Sequence, residues 1–203
     1  MNDNFTISKL QDAALLYLEK NLDKHYTYHN AVHTREVCAA AVEFASRAAL
    51  DPFESKALHL AAIFHDFGYL VSSHDNEALA LPYLQDFGKR FNVSADLIAR
   101  AHQLILETVF PYHPVTEAGK LLCDADIEYS GRACFLSRAE DFRQELAAEN
   151  IVFEDREFLT LEIKFLEENS FFTDMCKNLR RRGQLENLQK LRNMLHKFDA
   201  RMN

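Results

Sequence analysis

Apolar residues recur at helical spacing along nearly the whole chain, and nowhere do β-branched residues alternate as a strand would require. Ile7, Leu10, Ala14, Leu15 and Leu18 predict a first helix from about Thr6 to Asn21. After the His- and Tyr-rich segment Asp23 to Asn30, residues Val32, Val37, Ala40, Ala41 and Phe44 mark a second helix reaching about Ala48. Asp51-Pro52 is a start signal, because the fixed φ of proline suits a first turn, and the third helix carries Leu58, Ala61, Ala62 and Ile63 to His65-Asp66. Gly68 follows two residues later, where that helix should stop. Ser72 to Asn76 supplies capping side chains for a fourth helix to about Gly88, which Pro82 should kink or break. Ser94-Ala95-Asp96 opens a fifth, ending near Thr108, and Thr116-Glu117 opens a sixth that runs through Leu121 and Leu122 to Cys123-Asp124-Ala125-Asp126-Ile127. From Gly131 onward the helical spacing continues, with breaks expected at Glu149-Asn150, Asn169-Ser170 and Gly183. The expectation is an all-α fold: one compact domain over residues 1–203, with a core at about 22–131 and C-terminal helices at about 132–203.

Polar residues interrupt this pattern where they are least expected. His65 and Asp66 end an apolar run, and an unpartnered carboxylate against apolar neighbours is costly to desolvate. The doublet therefore meets water at the helix end or is neutralised by a counter-charge or cation. A neutral imidazole beside a carboxylate offers nitrogen and oxygen donors suited to a hard or borderline divalent metal. His29 and His33, four apart, share a helix face where either could point at that metal. Asp124 and Asp126 form a second acidic interruption, and two residues apart on a helix they point in different directions.

Charge and composition narrow the function classes. A formal net charge of -8 and a pI near 5.6 argue against an extended nucleic-acid surface, which needs clustered cations. No segment reaches the roughly 18 to 20 apolar residues of a membrane span, and the start MNDNFTISKL lacks the layout of a signal peptide, so a cytoplasmic protein is expected. Cys38, Cys123, Cys134 and Cys176 are scattered without a CxxC pair, which predicts reduced thiols and no zinc knuckle. Arg35, Lys56, Lys89, Arg90 and Arg132 are candidate phosphate contacts, because a net-negative protein must bring cations to an anionic substrate. Phe64, Phe67, Tyr69, Phe110 and Tyr112 fill core or line a pocket for a ring. Arg180-Arg181-Arg182 forms a solvated face, or pairs with Glu167-Glu168 or with a partner chain, and a homodimer is compatible with such a tail.

In order, Tyr28-His29-Asn30-Ala31-Val32-His33, Phe64-His65-Asp66-Phe67-Gly68-Tyr69, Asn76-Glu77 and Asp124-Ala125-Asp126-Ile127 resemble the HD-domain superfamily of metal-dependent phosphohydrolases. The resemblance spans about Leu22 to Gly131 and implies an HD-domain-like helical bundle. It implies one divalent ion (Mn, Mg, Fe, Co, Ni or Zn) on His33, His65, Asp66 and Asp126, with Asp66 part of the catalytic centre. It also implies that Glu77 holds or deprotonates the attacking water, where otherwise Glu77 is a first-turn glutamate facing the helix dipole. His29, Asn30 and Arg35 are the expected substrate contacts, with local capping the alternative for Asn30, and a small phosphorylated substrate, a nucleotide among the choices, is implied. Two imidazoles and two carboxylates balance a divalent charge while leaving positions for water and a phosphoryl oxygen. One rival is a binding or regulatory module that keeps the pocket and hydrolyses nothing. Another is a two-iron oxygenase, which needs further ligands from His74, His102 or His113.

Overall fold

A computed structural model describes residues 3–202, with side chains for residues 7–201. The elements are helical throughout and no strand occurs among the described residues, so the chain is all-α, as the 3.6-residue periodicity requires. None of these helices is long and apolar enough to cross a membrane. The chain divides after Asp126 into two compact units.

The first unit contains α1 (Asp3–Asn21), α2 (Ala31–Arg47), α3 (Pro52–Phe64), α4 (Asn76–Leu79), α5 (Leu81–Arg90), α6 (Ala95–Leu106) and α7 (Glu117–Asp126). Helix α3 is its hub, packed against α1, α2, α6 and α7. The reason lies in its composition: Ala57, Leu58, Leu60, Ala61, Ala62, Ile63 and Phe64 are all buried, so most of its C-terminal half has to be covered by neighbours. The three alanines let neighbours come close. Asp51 starts the helix, its Oδ1 accepting from the backbone N–H groups of Phe53 and Glu54 at 2.9 and 3.1 Å. Glu54 then anchors α6 through a two-pronged pair with Arg100, both contacts at 2.7 Å.

Pro82 breaks the fourth helix, as expected, and sits in the first turn of α5, where its missing N–H costs nothing. Two local expectations are corrected. Residues 72–75 turn instead of capping: Ser72 Oγ accepts from His74 N–H, Asp75 takes a left-handed φ of 54°, and no side chain caps α4. Gly68 is not a left-handed stop either. It lies in a 3-10 turn, Phe67–Leu70, and its missing Cβ admits the backbone of Asn76, whose carbonyl oxygen would stand 1.9 Å from a Cβ placed there.

The second unit begins with a 3-10 turn, Glu128–Gly131, and continues through α8 (Phe135–Ala148), α9 (Asp155–Glu168) and α10 (Asp174–Met202). Phe135, Ala139, Phe158, Leu166, Leu188 and Leu191 form its core. The expected breaks fall at Asn150, left-handed at φ 66°, and after Glu168. Gly183 does not break α10. The helix runs through it because its bare Cα lets Gly131 approach, with the Gly131 carbonyl oxygen 2.0 Å from a would-be Cβ. The three-arginine run is consumed locally: Arg180, together with Arg132, meets the buried Glu128, Arg181 reaches Gln184 and Arg182 reaches Glu186. It is Arg192 that pairs with Glu167.

Candidate metal centre

Three chain segments deliver the polar groups. The Asn30 side chain starts α2 by accepting from Val32 N–H at 2.9 Å and His33 N–H at 3.4 Å, while its amide donates to Thr27 carbonyl oxygen at 2.7 Å. That cap sets the register of the first turn and directs His33 inward, under the ring of Tyr28 at 4.8 Å. Helix α3 ends at Phe64, leaving His65 at its C-cap and Asp66 at the entry to the 3-10 turn. Helix α7 ends on Asp126.

His33, His65 and Asp66 are 3, 2 and 8% exposed and present one donor atom each within 4.8 Å of the others. Asp66 Oδ2 lies 3.1 Å from His65 Nε2 and 3.4 Å from His33 Nε2, and the two nitrogens are 3.4 Å apart. Asp126 Oδ1 borders the group, 3.0 Å from His33 Nε2 and 3.6 Å from His65 Nε2. Asp124 is wholly buried elsewhere in the unit, so the ambiguity between the two aspartates is resolved by direction.

The donor chemistry fits a divalent cation. The Ala62 carbonyl accepts from His65 Nδ1 at 2.9 Å, which fixes the tautomer and turns the Nε2 lone pair toward the cluster. Asp66 Oδ2 is buried, and its polar neighbours are the two imidazole nitrogens. Without a metal, protons must do the neutralising. Burial disfavours charge on His65, but Asp66 and Asp126 outweigh it and hold the imidazole well above its ordinary pKa. Burial likewise pushes the two aspartates up, and the surrounding imidazoles more than reverse this, leaving both below the usual carboxylate range.

Around this centre the other expected site residues take distinct places. Glu77, half-buried in the first turn of α4, has its pKa raised by burial and by the charges of Asp66 and Asp126. His29 stacks on Tyr69 at 4.2 Å and 13°. Asn30 spends both ends of its amide on the cap. Arg35 pairs with Glu19 at 3.1 Å on the exposed side of α2. His74 and His113 are exposed, and neither they nor His102 joins the donor group among the described residues. Phe64 and Phe67 are core, packed on Phe87. One partner is not signalled by spacing at all. The Tyr112 hydroxyl donates to Asp126 Oδ2 at 3.0 Å, leaving Oδ1 toward the imidazoles. Glu107 shapes the loop carrying that tyrosine by accepting from Val115 and Thr116 N–H at 2.7 and 2.9 Å.

No family model matches the chain, and no curated protein matches it. Solved structures do resemble it. Bacillus subtilis YpgQ in complex with ADP has a TM-score of 0.68 at 20% identity, covering 95% of this chain and 96% of that one. A Listeria innocua protein has a TM-score of 0.66 at 19% identity, with 96% of each chain covered. A Lactobacillus plantarum protein reaches 0.71 at 16% identity, over 98% of this chain and all of its own. At these identities the likeness is one of fold: the same helical architecture over nearly the full length.

Proposed function

We propose that this protein is an HD-type phosphohydrolase in which one divalent cation, held by His33, His65, Asp66 and Asp126, serves hydrolysis of a phosphate ester. The observation that carries the reading is the convergence of these four side chains, brought from three segments as much as 93 residues apart. When bound, the cation supplies Lewis acidity and lowers the pKa of a coordinated water. The chain's own residues do the rest. His33 and His65 present neutral nitrogens, Asp66 and Asp126 balance the charge, and Tyr112 keeps Asp126 turned so that a single oxygen faces the imidazoles. Glu77 takes a proton from the attacking water, and its placement beyond the 3-10 turn is set by the tight approach of Asn76 to Gly68. His29 is the expected substrate contact, stacked on Tyr69.

A nucleotide is the favoured substrate class, supported by the YpgQ neighbour having been crystallised with ADP. The test is metal-stripped protein reloaded in turn with Mn, Mg, Fe, Co, Ni and Zn, offered mono- and cyclic nucleotides, with phosphate release measured and products identified. Hydrolysis with at least one metal, abolished by Asp66→Ala, is expected. Tight nucleotide binding without turnover under any metal would replace this reading with that of a binding module.

A further inference from the structure

The second unit contains an open cavity of about 410 Å³ between α8, α9 and α10. That volume lies in the roughly 300–1,000 Å³ range of small-molecule sites. The apolar part of its wall is formed by Leu136 and Ala139 of α8, Phe158 and Leu159 of α9, and Leu191 and Met194 of α10, and charged side chains share the lining. Glu162 interrupts that wall. It follows Phe158 and Leu159 on the same face of α9, is 4% exposed, and meets no hydrogen-bond or ion-pair partner among the described residues.

A carboxyl in that position lacks what buried acids ordinarily have. The other charged groups facing the cavity do not supply it. Arg143 is committed to Asp155 Oδ1 at 2.8 Å and to the Phe153 carbonyl at 2.6 Å, with its guanidinium over the Phe158 ring. Glu140 has the wrong sign, and Lys197 and Arg201 lie exposed on α10 in contact with no carboxylate among the described residues.

We infer that this cavity binds an organic cation with an apolar body: a primary or secondary amine whose ammonium donates to Glu162 while its hydrocarbon or ring covers Phe158, Leu159, Leu191 and Met194. An anion would place a second negative charge beside a buried carboxylate. The exposed Lys197 and Arg201 act through water and salt, so Glu162 dominates the field inside. Burial pushes the Glu162 carboxyl up to about 7, so near neutrality the group is available to be ionised by an incoming ammonium. The site belongs to the second unit and uses none of the residues of the metal centre.

Phenethylammonium, 2-phenylethanol and phenylacetate, matched in size and differing in charge, test the assignment on the full chain by calorimetry and thermal shift. The ammonium should bind saturably and raise the melting temperature, and the alcohol and the carboxylate should bind at least about tenfold more weakly. Ammonium affinity should fall about tenfold or more from pH 8 to pH 5.5, as Glu162 takes its own proton. Glu162→Gln should lose the affinity while keeping its circular dichroism, and Met194→Trp should lose it by filling the cavity. Equal affinity in Glu162→Gln, preference for the carboxylate, or no saturable binding by about 10 mM would overturn the inference. So would a concentration-dependent dimer abolished by Met194→Trp without any amine response, which would give this face to a second copy.

Discussion

Replacing Gly68 by alanine isolates how the centre is assembled. No glycine among the described residues has a positive φ, so alanine meets no backbone strain there and, by restricting the unfolded chain, would by itself stabilise by about 0.4–1 kcal/mol. What opposes it is space. The added Cβ falls 1.9 Å from the Asn76 carbonyl oxygen and 2.5 Å from the Asn76 carbonyl carbon and Cα, against 3.4 Å where ordinary contact begins. The 3-10 turn and α4 must separate by about 1.5 Å, and both are buried backbone that cannot rotate aside. Overpacking of this kind costs about 1–3 kcal/mol, which should exceed the entropic gain. Because Glu77 is the next residue along α4, the same displacement moves the proposed base, and misplacement by about 1 Å costs on the order of 100-fold in rate. Urea unfolding, metal content and phosphate release on one preparation separate these effects. Gly68→Ala should be less stable, retain its metal and lose about two orders of magnitude in turnover. Wild-type stability with wild-type turnover would refute the claim that this close approach positions α4.

Three further outcomes follow from the same geometry. In the folded chain the Glu162 carboxyl holds its proton to about 7 rather than 4.5, so the unfolded state gives it up first and stability falls as pH rises between those values. The 2.5-unit difference corresponds to about 3 kcal/mol, and Glu162→Gln should remove the slope and unfold at higher urea than the parent at pH 8; parallel pH profiles for the two would contradict this. Tyr112→Phe keeps the ring and removes the donor to Asp126, so metal affinity in chelator competition should drop about tenfold with little change in melting temperature; unchanged affinity would remove Tyr112 from the centre. Gly183→Ala, in mid-helix where alanine normally adds up to about 1 kcal/mol, should instead destabilise by 1–3 kcal/mol or so, read from urea midpoints, because its Cβ meets the Gly131 carbonyl oxygen; a raised midpoint would show that the backbones can part.

Most helices were legible because each buries one stripe and because their starts are chemically marked: Asp51-Pro52, Asn30 and Ser94 all cap as composition suggests. The clustered polar residues were legible for a related reason, since His65-Asp66 and Asp126 contradict the apolar pattern around them. What spacing could not supply was direction. Asp124 and Asp126 are equivalent in composition, and only the end of α7 turns one toward His33. The glycines misled in a consistent way. Gly68 and Gly183 read as helix punctuation, yet each serves a close approach by another stretch of backbone, Asn76 for Gly68 and Gly131 for Gly183, which helix periodicity does not announce. Tyr112 was visible only as one aromatic among several, because its role depends on a loop that Glu107 folds back on itself. Arg35, a cation near the motif in sequence, pairs with Glu19 on the exposed side of α2.

Metal stoichiometry of the purified chain and its variants, by elemental mass spectrometry alongside circular dichroism, bears most directly on the account. Wild type should carry one divalent ion per chain, and Asp66→Ala and His65→Ala should carry none while keeping wild-type helicity. Full occupancy in Asp66→Ala, or two ions per wild-type chain, would contradict it.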